Sequence, residues 1–170
     1  PEGPLAGLVF RVGFDPRSNM KYSSIKLFSG SLTSDINIIR NDEKKGIRPG
    51  NRIKSCGADT TIIEKAVAGD IITLAKVEEL MVGDLVHDGS LSGRFPIPPV
   101  PQPMFSLALE PATRGDEQKI STALDKLSEE DPCFRVNRDT QTKELVVSGL
   151  GDLHLRVVLS KLQQRYKLSV

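Results

Sequence analysis

The first half of the chain consists of short apolar runs that alternate with polar residues and are separated by turn residues. These runs lie at 5–14, 22–28, 36–40, 52–55, 60–64, 71–75 and 85–87. Turn-forming sequences such as Ser29-Gly30, Pro49-Gly50 and Ala68-Gly69-Asp70 stand between them. Many short strands at this spacing are typical of a closed or nearly closed antiparallel β-barrel. We therefore predict an all-β barrel domain over residues 1–94.

A proline-rich stretch follows the predicted barrel. Residues 95–103 contain five prolines. Proline lacks a backbone N–H and is excluded from helix interiors and central strands. We therefore predict a stiff linker at 95–103 that joins two domains.

The hydrophobic period changes after this linker. The pattern predicts two helices, one starting in a capping-box variant at Thr113-Arg114-Gly115-Asp116 and one starting after Gly151. It predicts strands over 104–110, 134–138 and 144–148. The order strand, helix, strand, strand, helix is the split pattern of a ferredoxin-like α+β domain. We predict this domain over 104–170, with a last strand that is truncated at the end of the chain.

The most informative stretch is Ser148-Gly149-Leu150-Gly151-Asp152-Leu153-His154-Leu155, named here the glycine joint. We expect Gly149 and Gly151 to supply backbone angles that other residues avoid. Asp152 and His154 lie in the first helical turn, where backbone N–H groups have no partner within the helix. Such a helix start could hold a carboxylate, a phosphate or a partner backbone. A purely structural joint explains the same glycines, so both interpretations stay open.

Composition and motifs exclude several classes of function. The 170 residues are 38% hydrophobic and carry a net charge of +1, so a polyanion would have to be met by a local patch. Cys56 and Cys133 show no metal or redox spacing, and no G-x-x-x-x-G-K-S/T sequence is present. His87 and His154 are the only histidines, and no nucleophile lies beside either. We predict no catalytic residue, metal or cofactor in this chain. Without an apolar run of membrane length, the expected location is the cytoplasm.

Basic residues cluster between Arg40 and Lys54. This segment contains six cations and only two acidic residues, Asp42 and Glu43, which leaves a local net charge of +4. The cations are Arg40, Lys44, Lys45, Arg48, Arg52 and Lys54. Arg17 and Lys21 would extend this patch if the barrel brings their loop to the same rim. Because aromatic residues make up only 5% of the chain, phosphate contact with folded RNA fits better than base stacking. An ordinary charged rim explains the same pattern.

Several runs resemble translational GTPases, most closely bacterial elongation factor G. The two most specific are 127–136, with the sequence LSEEDPCFRV, and the glycine joint. Runs at 4–10, 15–16, 27–30 and 68–71 stand where that family carries its barrel signatures. The resemblance covers nearly all of the chain. It implies that 1–94 is a translation-factor-type barrel, the second domain of that factor, and that 104–170 is its third.

The resemblance implies a non-catalytic fragment of a ribosome-dependent GTPase that acts in tRNA and mRNA translocation. GTP and Mg²⁺ would bind the GTPase domain, which lies outside this chain. The expected partners are ribosomal RNA, ribosomal proteins and the other domains of the parent protein, with no membrane involved. The expected ribosome contacts are Arg17, Lys21, Lys44, Lys45, Arg48 and Arg52. The resemblance places interdomain contacts and the fusidic-acid region at Asp131, Cys133, Gly149, Gly151, Asp152, His154, Val158 and Lys161.

Other functions remain as alternatives. Cys133 stands where that family usually has threonine, Arg156 where an acidic residue is usual, and Lys161 where arginine is usual. A paralogue with a role in ribosome recycling is therefore an alternative, and a tetracycline ribosome-protection protein shares the architecture. A stand-alone small phosphohydrolase, formed by the ferredoxin-like half and using Arg114 or Arg135, is a third.

Overall fold

The chain divides within its proline-rich stretch. The structure is a computed structural model that describes residues 2–15, 18–57, 59–113 and 115–170. It separates into two units, Pro1–Ile97 and Pro98–Val170. Each unit has its own cluster of buried apolar side chains. None of the described helices is long and apolar enough to cross a membrane.

The first unit is built from short antiparallel strands. They are β1 (Ala6–Phe14), β2 (Lys21–Ser29), β3 (Ser31–Leu32), β4 (Ile38–Arg40), β5 (Gly46–Ile47), β6 (Arg52–Cys56), β7 (Asp59–Ile63), β8 (Ala66–Val67), β9 (Ile71–Ala75) and β10 (Leu85–His87). Eight of them form one sheet in the order β5-β4-β10-β1-β2-β9-β6-β7, and β3 pairs with β8. The pattern of alternation predicted the longer strands, but not the two-residue strands β3, β5 and β8.

One face of the large sheet surrounds the core. Val9 on β1, Ile25 on β2 and Leu74 on β9 are all 0% exposed and belong to the same cluster. Alternate residues of β2 are buried because successive side chains of a strand point to opposite faces. The predicted β-barrel class of this unit is confirmed.

The second unit combines a small sheet with two helices. Its elements are β11 (Phe105–Leu109), α1 (Glu117–Glu130), β12 (Arg135–Arg138), β13 (Leu145–Gly149) and α2 (Asp152–Tyr166). The sheet order is β11-β13-β12, and both pairings are antiparallel. Leu124 of α1, Val147 of β13 and Leu155 of α2 share one core, so the helices pack on the same face of the sheet. The predicted ferredoxin-like class is confirmed.

Two details of this unit differ from prediction. The capping box does not form, because α1 starts with Asp116 as its N-cap and without a side-chain cap hydrogen bond. The Asp116 carboxylate instead accepts a hydrogen bond from Lys119 Nζ at 2.8 Å. No strand follows Tyr166 within the described residues, although Ala112 N–H donates to the Ser169 carbonyl at 3.2 Å.

Candidate functional sites

Three exposed cations lie close together in sequence on a short hairpin of the first unit. We name residues 38–48 the basic hairpin; it contains β4, β5 and the loop between them. Lys44 and Lys45 lie in the loop, Arg48 directly follows β5, and all three are exposed. Among the described residues, these three side chains take part in no ion pair. Their charges therefore face solvent without compensation.

The two acidic residues of the basic hairpin are already bound. Glu43 accepts a hydrogen bond from Arg40 Nε at 2.9 Å, and Asp42 Oδ1 accepts one from Gly93 N–H at 2.6 Å. The hydrogen bond to Glu43 raises the pKa of Arg40 and outweighs burial, which acts in the opposite direction. Arg40 is therefore paired within the hairpin. The accessible positive charge of the hairpin belongs to Lys44, Lys45 and Arg48.

Two of the expected RNA contacts are buried, which contradicts the exposure that such a contact requires. Lys21 is 1% exposed; its Nζ donates to the Glu78 carbonyl at 2.7 Å and lies 5.9 Å from the centre of the Phe14 ring. Arg52 is 8% exposed, and its Nε donates to the Ile63 carbonyl at 3.2 Å. Their aliphatic stems pack inside the unit and their charged ends reach backbone carbonyls. Arg17 lies outside the described residues.

Lys54, the last cation of the basic run, is paired. Its Nζ lies 3.1 Å from Asp70 Oδ1, while Asp70 Oδ2 accepts a hydrogen bond from Val67 N–H at 3.0 Å. These contacts, the Val67 bond foremost, lower the pKa of Asp70. The Lys54 ammonium group thus forms an ion pair with the turn that leads into β9.

The lowered pKa of Asp70 gives a testable pH dependence. A carboxylate whose pKa is lower in the folded than in the unfolded state stabilises the fold above the unfolded-state value of about 3.9. That contribution disappears as the pH falls through the folded-state pKa. Asp70→Asn should therefore destabilise the first unit by less than about 1 kcal/mol at pH 7, and the deficit should shrink as the pH falls below the unfolded-state value of about 3.9.

Urea unfolding of both proteins between pH 2 and pH 7 measures this difference. Glu64→Gln removes an exposed carboxylate close to β7 and serves as the control, which should leave the profile unchanged. A deficit of equal size at both ends of the pH range would refute the assignment.

In the glycine joint, the two glycines have different roles. Neither has a positive φ in the left-handed region; Gly151, with φ 178°, is extended, so the prediction of special backbone angles is wrong. A Cβ at Gly149 would lie 2.7 Å from Leu155 Cδ2 and 2.9 Å from His154 Nδ1, whereas a Cβ at Gly151 would meet nothing within 4 Å. Gly149 is therefore required by close packing, and Gly151 is not.

His154 connects the start of α2 to the end of α1. Leu150 N–H donates to His154 Nδ1 at 3.0 Å, and Nε2 lies 2.9 Å from Asp131 Oδ2. Because Nδ1 accepts, the ring proton lies on Nε2 and is donated to Asp131. Asp131 Oδ1 also accepts a bond from Cys133 N–H at 2.9 Å. We name Asp131, Leu150 and His154 the histidine clamp.

The clamp is arranged for positioning rather than for proton transfer. Both ring nitrogens of His154 are engaged, so no lone pair is available to a substrate. Cys133 meets Asp131 through its backbone N–H. A nucleophile–base pair would instead require the thiol to face a free ring nitrogen. The rings of His154 and Phe134 form a T-shaped pair, with centroids 6.5 Å apart.

The remaining interdomain candidates do not form one surface. Val158 is 3% exposed and belongs to the core, which contradicts a contact role. Asp152 is exposed and pairs with Arg156 at 2.8 Å. Lys161 is half-buried on α2. The structure therefore brings together Asp131, Cys133, Gly149 and His154, with Gly151 at the edge of this group.

Glu130, the last residue of α1, pairs with Arg165 in the last turn of α2. Glu130 accepts two hydrogen bonds from Arg165 Nη1, both at 2.9 Å. Burial, and secondly the charge of Glu130, raise the pKa of the neighbouring Tyr166. This ion pair therefore joins the ends of α1 and α2.

Sequence reasoning missed a buried polar network beneath the basic hairpin. His87 is 2% exposed, and its Nε2 lies 2.6 Å from the Asn41 carbonyl oxygen. Asn41 is 8% exposed, and its side chain binds Asp84 and the backbone of Leu85. An asparagine at a strand end is a typical turn residue, and this was the available signal.

A cleft in the second unit bears on the phosphohydrolase alternative. Its volume is about 630 Å³, and it lies between α1, the ends of the three strands and Val170. Neither His154 nor Arg135 is among its lining residues, and Arg135 Nη2 donates to Gln102 Oε1 at 2.9 Å. Arg114 lies outside the described residues. Within the described part of the chain, no group of three or more His, Cys, Asp or Glu residues is arranged to hold a metal ion.

An antiparallel β-barrel unit followed by a ferredoxin-like unit is the architecture that the resemblance to elongation factor G implies. Residues 100–170 match the family described as Elongation Factor G, domain III. A crystal structure of a protein from Thermus thermophilus is also similar, with a TM-score of 0.87 and 30% identity over 99% of this chain. The match covers 25% of that protein, so this chain spans a quarter of its length. Residues 100–170 thus belong to the elongation factor G domain III family, and the chain is a fragment of an elongation factor G-like protein.

Proposed function

We propose that this chain is the non-catalytic, ribosome-binding part of an elongation factor G-like translational GTPase that acts in tRNA and mRNA translocation. The family match of residues 100–170 and the structural match over 99% of the chain support this proposal. The units correspond to domains at 1–94 and 104–170, joined by the linker at 95–103. GTP and Mg²⁺ bind the GTPase domain of the parent protein. That protein works in the cytoplasm.

The observation that carries the RNA-binding part of the proposal is the uncompensated charge of the basic hairpin. Lys44, Lys45 and Arg48 are exposed, while Asp42 and Glu43 are held by other partners. Cations of this kind bind the phosphates of folded RNA and release counterions. The hairpin is accordingly the proposed contact with ribosomal RNA.

The glycine joint is the proposed contact with the other domains of the parent protein. The histidine clamp fixes the chain at this point. Beside it, Leu150 is 47% and Leu153 75% exposed. Apolar side chains presented on a rigid turn are suited to protein contacts. This contact would relay the state of the GTPase domain, and the fusidic-acid region of the family would lie here, near Asp131, Cys133 and His154.

Reversal of the hairpin charges tests the proposed function. In the triple variant Lys44→Glu, Lys45→Glu, Arg48→Glu, three phosphate contacts are lost and repulsion replaces them. The slope of log K against log salt for ribosome binding should fall in magnitude by about 2–3. Binding at about 100 mM salt should weaken by roughly 50-fold or more. Co-sedimentation of the chain and of its parent protein with salt-washed ribosomes measures both quantities.

A control variant with the same change in net charge separates local contact from overall charge. Arg11, Lys65 and Lys143 are exposed cations outside the hairpin and its hydrogen-bond partners, and their reversal to Glu also changes the charge by six units. This control should retain the slope of the unaltered chain. Equal loss in both triple variants would show that general electrostatic attraction, not the hairpin, governs binding. Unchanged binding in the hairpin variant would refute the proposed contact.

A further inference from the structure

The backbone alone attaches the basic hairpin weakly. The hairpin ladder consists of the pairs Ile38–Ile47 and Ile39–Gly46. Its attachment to β10 consists of Val86–Arg40 and His87–Ile39. Ladders of this length do not by themselves hold a loop in one conformation. Other contacts must therefore keep Lys44, Lys45 and Arg48 in place.

Asn41 supplies these contacts at the base of the loop. Its backbone N–H donates to the Leu85 carbonyl at 2.9 Å, and its side-chain oxygen accepts from Leu85 N–H at 2.9 Å. Its side-chain Nδ2 donates to Asp84 Oδ1 at 2.6 Å, and its carbonyl oxygen lies 2.6 Å from His87 Nε2. Thus both backbone groups and both side-chain polar atoms of one residue bind the segment 84–87.

The conformation of Asn41 restricts which residues can replace it. Its φ is +50°, in the left-handed region that asparagine tolerates better than most residues. The residue is also buried, at 8% exposure. Position 41 therefore requires a residue that adopts the left-handed conformation and whose side chain has one hydrogen-bond donor and one acceptor. Asparagine has all three properties.

The partners of Asn41 are themselves fixed. His87 is 2% exposed, and its Nδ1 accepts a bond from Gly89 N–H at 3.0 Å, so Nε2 carries the proton given to Asn41. Asp84 Oδ2 accepts a bond from Met81 N–H at 2.8 Å. The network is therefore a rigid base on which the loop is built.

We propose that Asn41 is the positioning residue of the basic hairpin, which holds Lys44, Lys45 and Arg48 in a preformed arrangement for RNA phosphates. This inference rests on the proposed function, because it assumes that the hairpin binds ribosomal RNA. A preformed loop avoids the entropic cost of ordering the loop and its side chains on binding. Asn41 itself makes no contact with the RNA.

Substitution of Asn41 should change affinity without changing the number of phosphate contacts. Asn41→Gly keeps the left-handed backbone and removes both side-chain hydrogen bonds. Ribosome binding should weaken roughly tenfold at each salt concentration, while the slope of log K against log salt stays that of the unaltered chain. The matched control is Asn19→Gly, which replaces another left-handed asparagine, with φ +56°, outside the hairpin. The control should bind normally.

Exchanging the residues at positions 41 and 84 keeps the net charge constant and tests whether ribosome binding can be rescued. Asn41→Asp alone places a carboxylate against Asp84 and should weaken binding as Asn41→Gly does. The double variant Asn41→Asp, Asp84→Asn restores one donor and one acceptor between the two positions, and binding should return to within about threefold of the original. Recovery would show that the hydrogen bonds position the loop. A double variant that remains as weak as Asn41→Asp would overturn the assignment.

The outcomes separate this inference from the function on which it rests. If the triple charge reversal at Lys44, Lys45 and Arg48 has no effect, the proposed RNA contact is wrong, and the role of Asn41 is refuted with it. If the reversal weakens binding but Asn41→Gly binds normally, the contact stands and the positioning role is refuted. A lower slope in Asn41→Gly would also refute it, because contacts would then have been lost.

Discussion

Leu155→Ala should lower the free energy of unfolding of the second unit by about 3–5 kcal/mol. The side chain is 0% exposed and packs in the core that contains Leu124 of α1 and Leu162 of α2. Its removal forfeits apolar burial and leaves a cavity, because the surrounding helices and sheet can collapse only partly. Urea unfolding followed by the helical circular dichroism signal measures this loss, since both described helices belong to the second unit.

The same helix provides a matched control for this substitution. Leu153 lies two residues earlier in α2 and is 75% exposed. Leu153→Ala removes the same atoms from the surface, so the free energy of unfolding should change by less than about 0.5 kcal/mol. Equal losses in the two variants would mean that α2 does not pack on the sheet through the face that carries Leu155.

The buried face of α2 illustrates what the sequence could predict. Leu155, Val158 and Leu162 recur at helical spacing, and all three are buried. In the same way, alternation along β2 predicted that Ile25 and Leu27 share one face, and both are 0% exposed. Such periods are local properties of the chain, because an element with one buried face must place its apolar residues at the repeat of its own geometry. The fold class was therefore predictable.

The buried cations show where residue type misleads. Lys21 was expected at the surface, although its position is in phase with Ser23, Ile25 and Leu27, which are all buried. Its partner, the Glu78 carbonyl, lies 57 positions away in the sequence. A long charged side chain can be buried only when folding supplies such a partner. The alternation along β2 therefore predicts the burial of Lys21 better than its residue type does.

The histidine clamp was predictable only in part. Asp131 and His154 both lie in runs that resemble elongation factor G, but the hydrogen bond between them spans 23 positions. Nothing in their spacing requires them to meet. The requirement for glycine at Gly149 was likewise assigned to backbone angles, because the side chains that crowd it become visible only when α2 is folded onto β13. Contacts between elements, unlike periods within them, are not encoded locally.

Gly149→Ser should destabilise the second unit by about 2–4 kcal/mol, whereas Gly151→Ser should leave its stability unchanged or raise it by about 0.5 kcal/mol. At Gly149 the new Cβ would overlap Leu155 Cδ2 and His154 Nδ1, at 2.7 and 2.9 Å, and the hydroxyl would be buried. At Gly151 the added atoms meet open space, and serine is a favoured N-cap of a helix such as α2. Urea unfolding of the two variants compares the positions directly.

A double-mutant cycle tests whether the clash with Leu155 causes this loss. In the Leu155→Ala background, Cδ2 is absent and the cavity can accept part of the serine side chain. The cost of Gly149→Ser should then fall by at least about 1 kcal/mol, so that the double variant is more stable than the sum of the single losses implies. Strict additivity would refute the clash with Leu155 and leave His154 as its main partner. In that case the Leu150 N–H signal, which reports the bond to His154 Nδ1, should shift in Gly149→Ser with either residue at position 155.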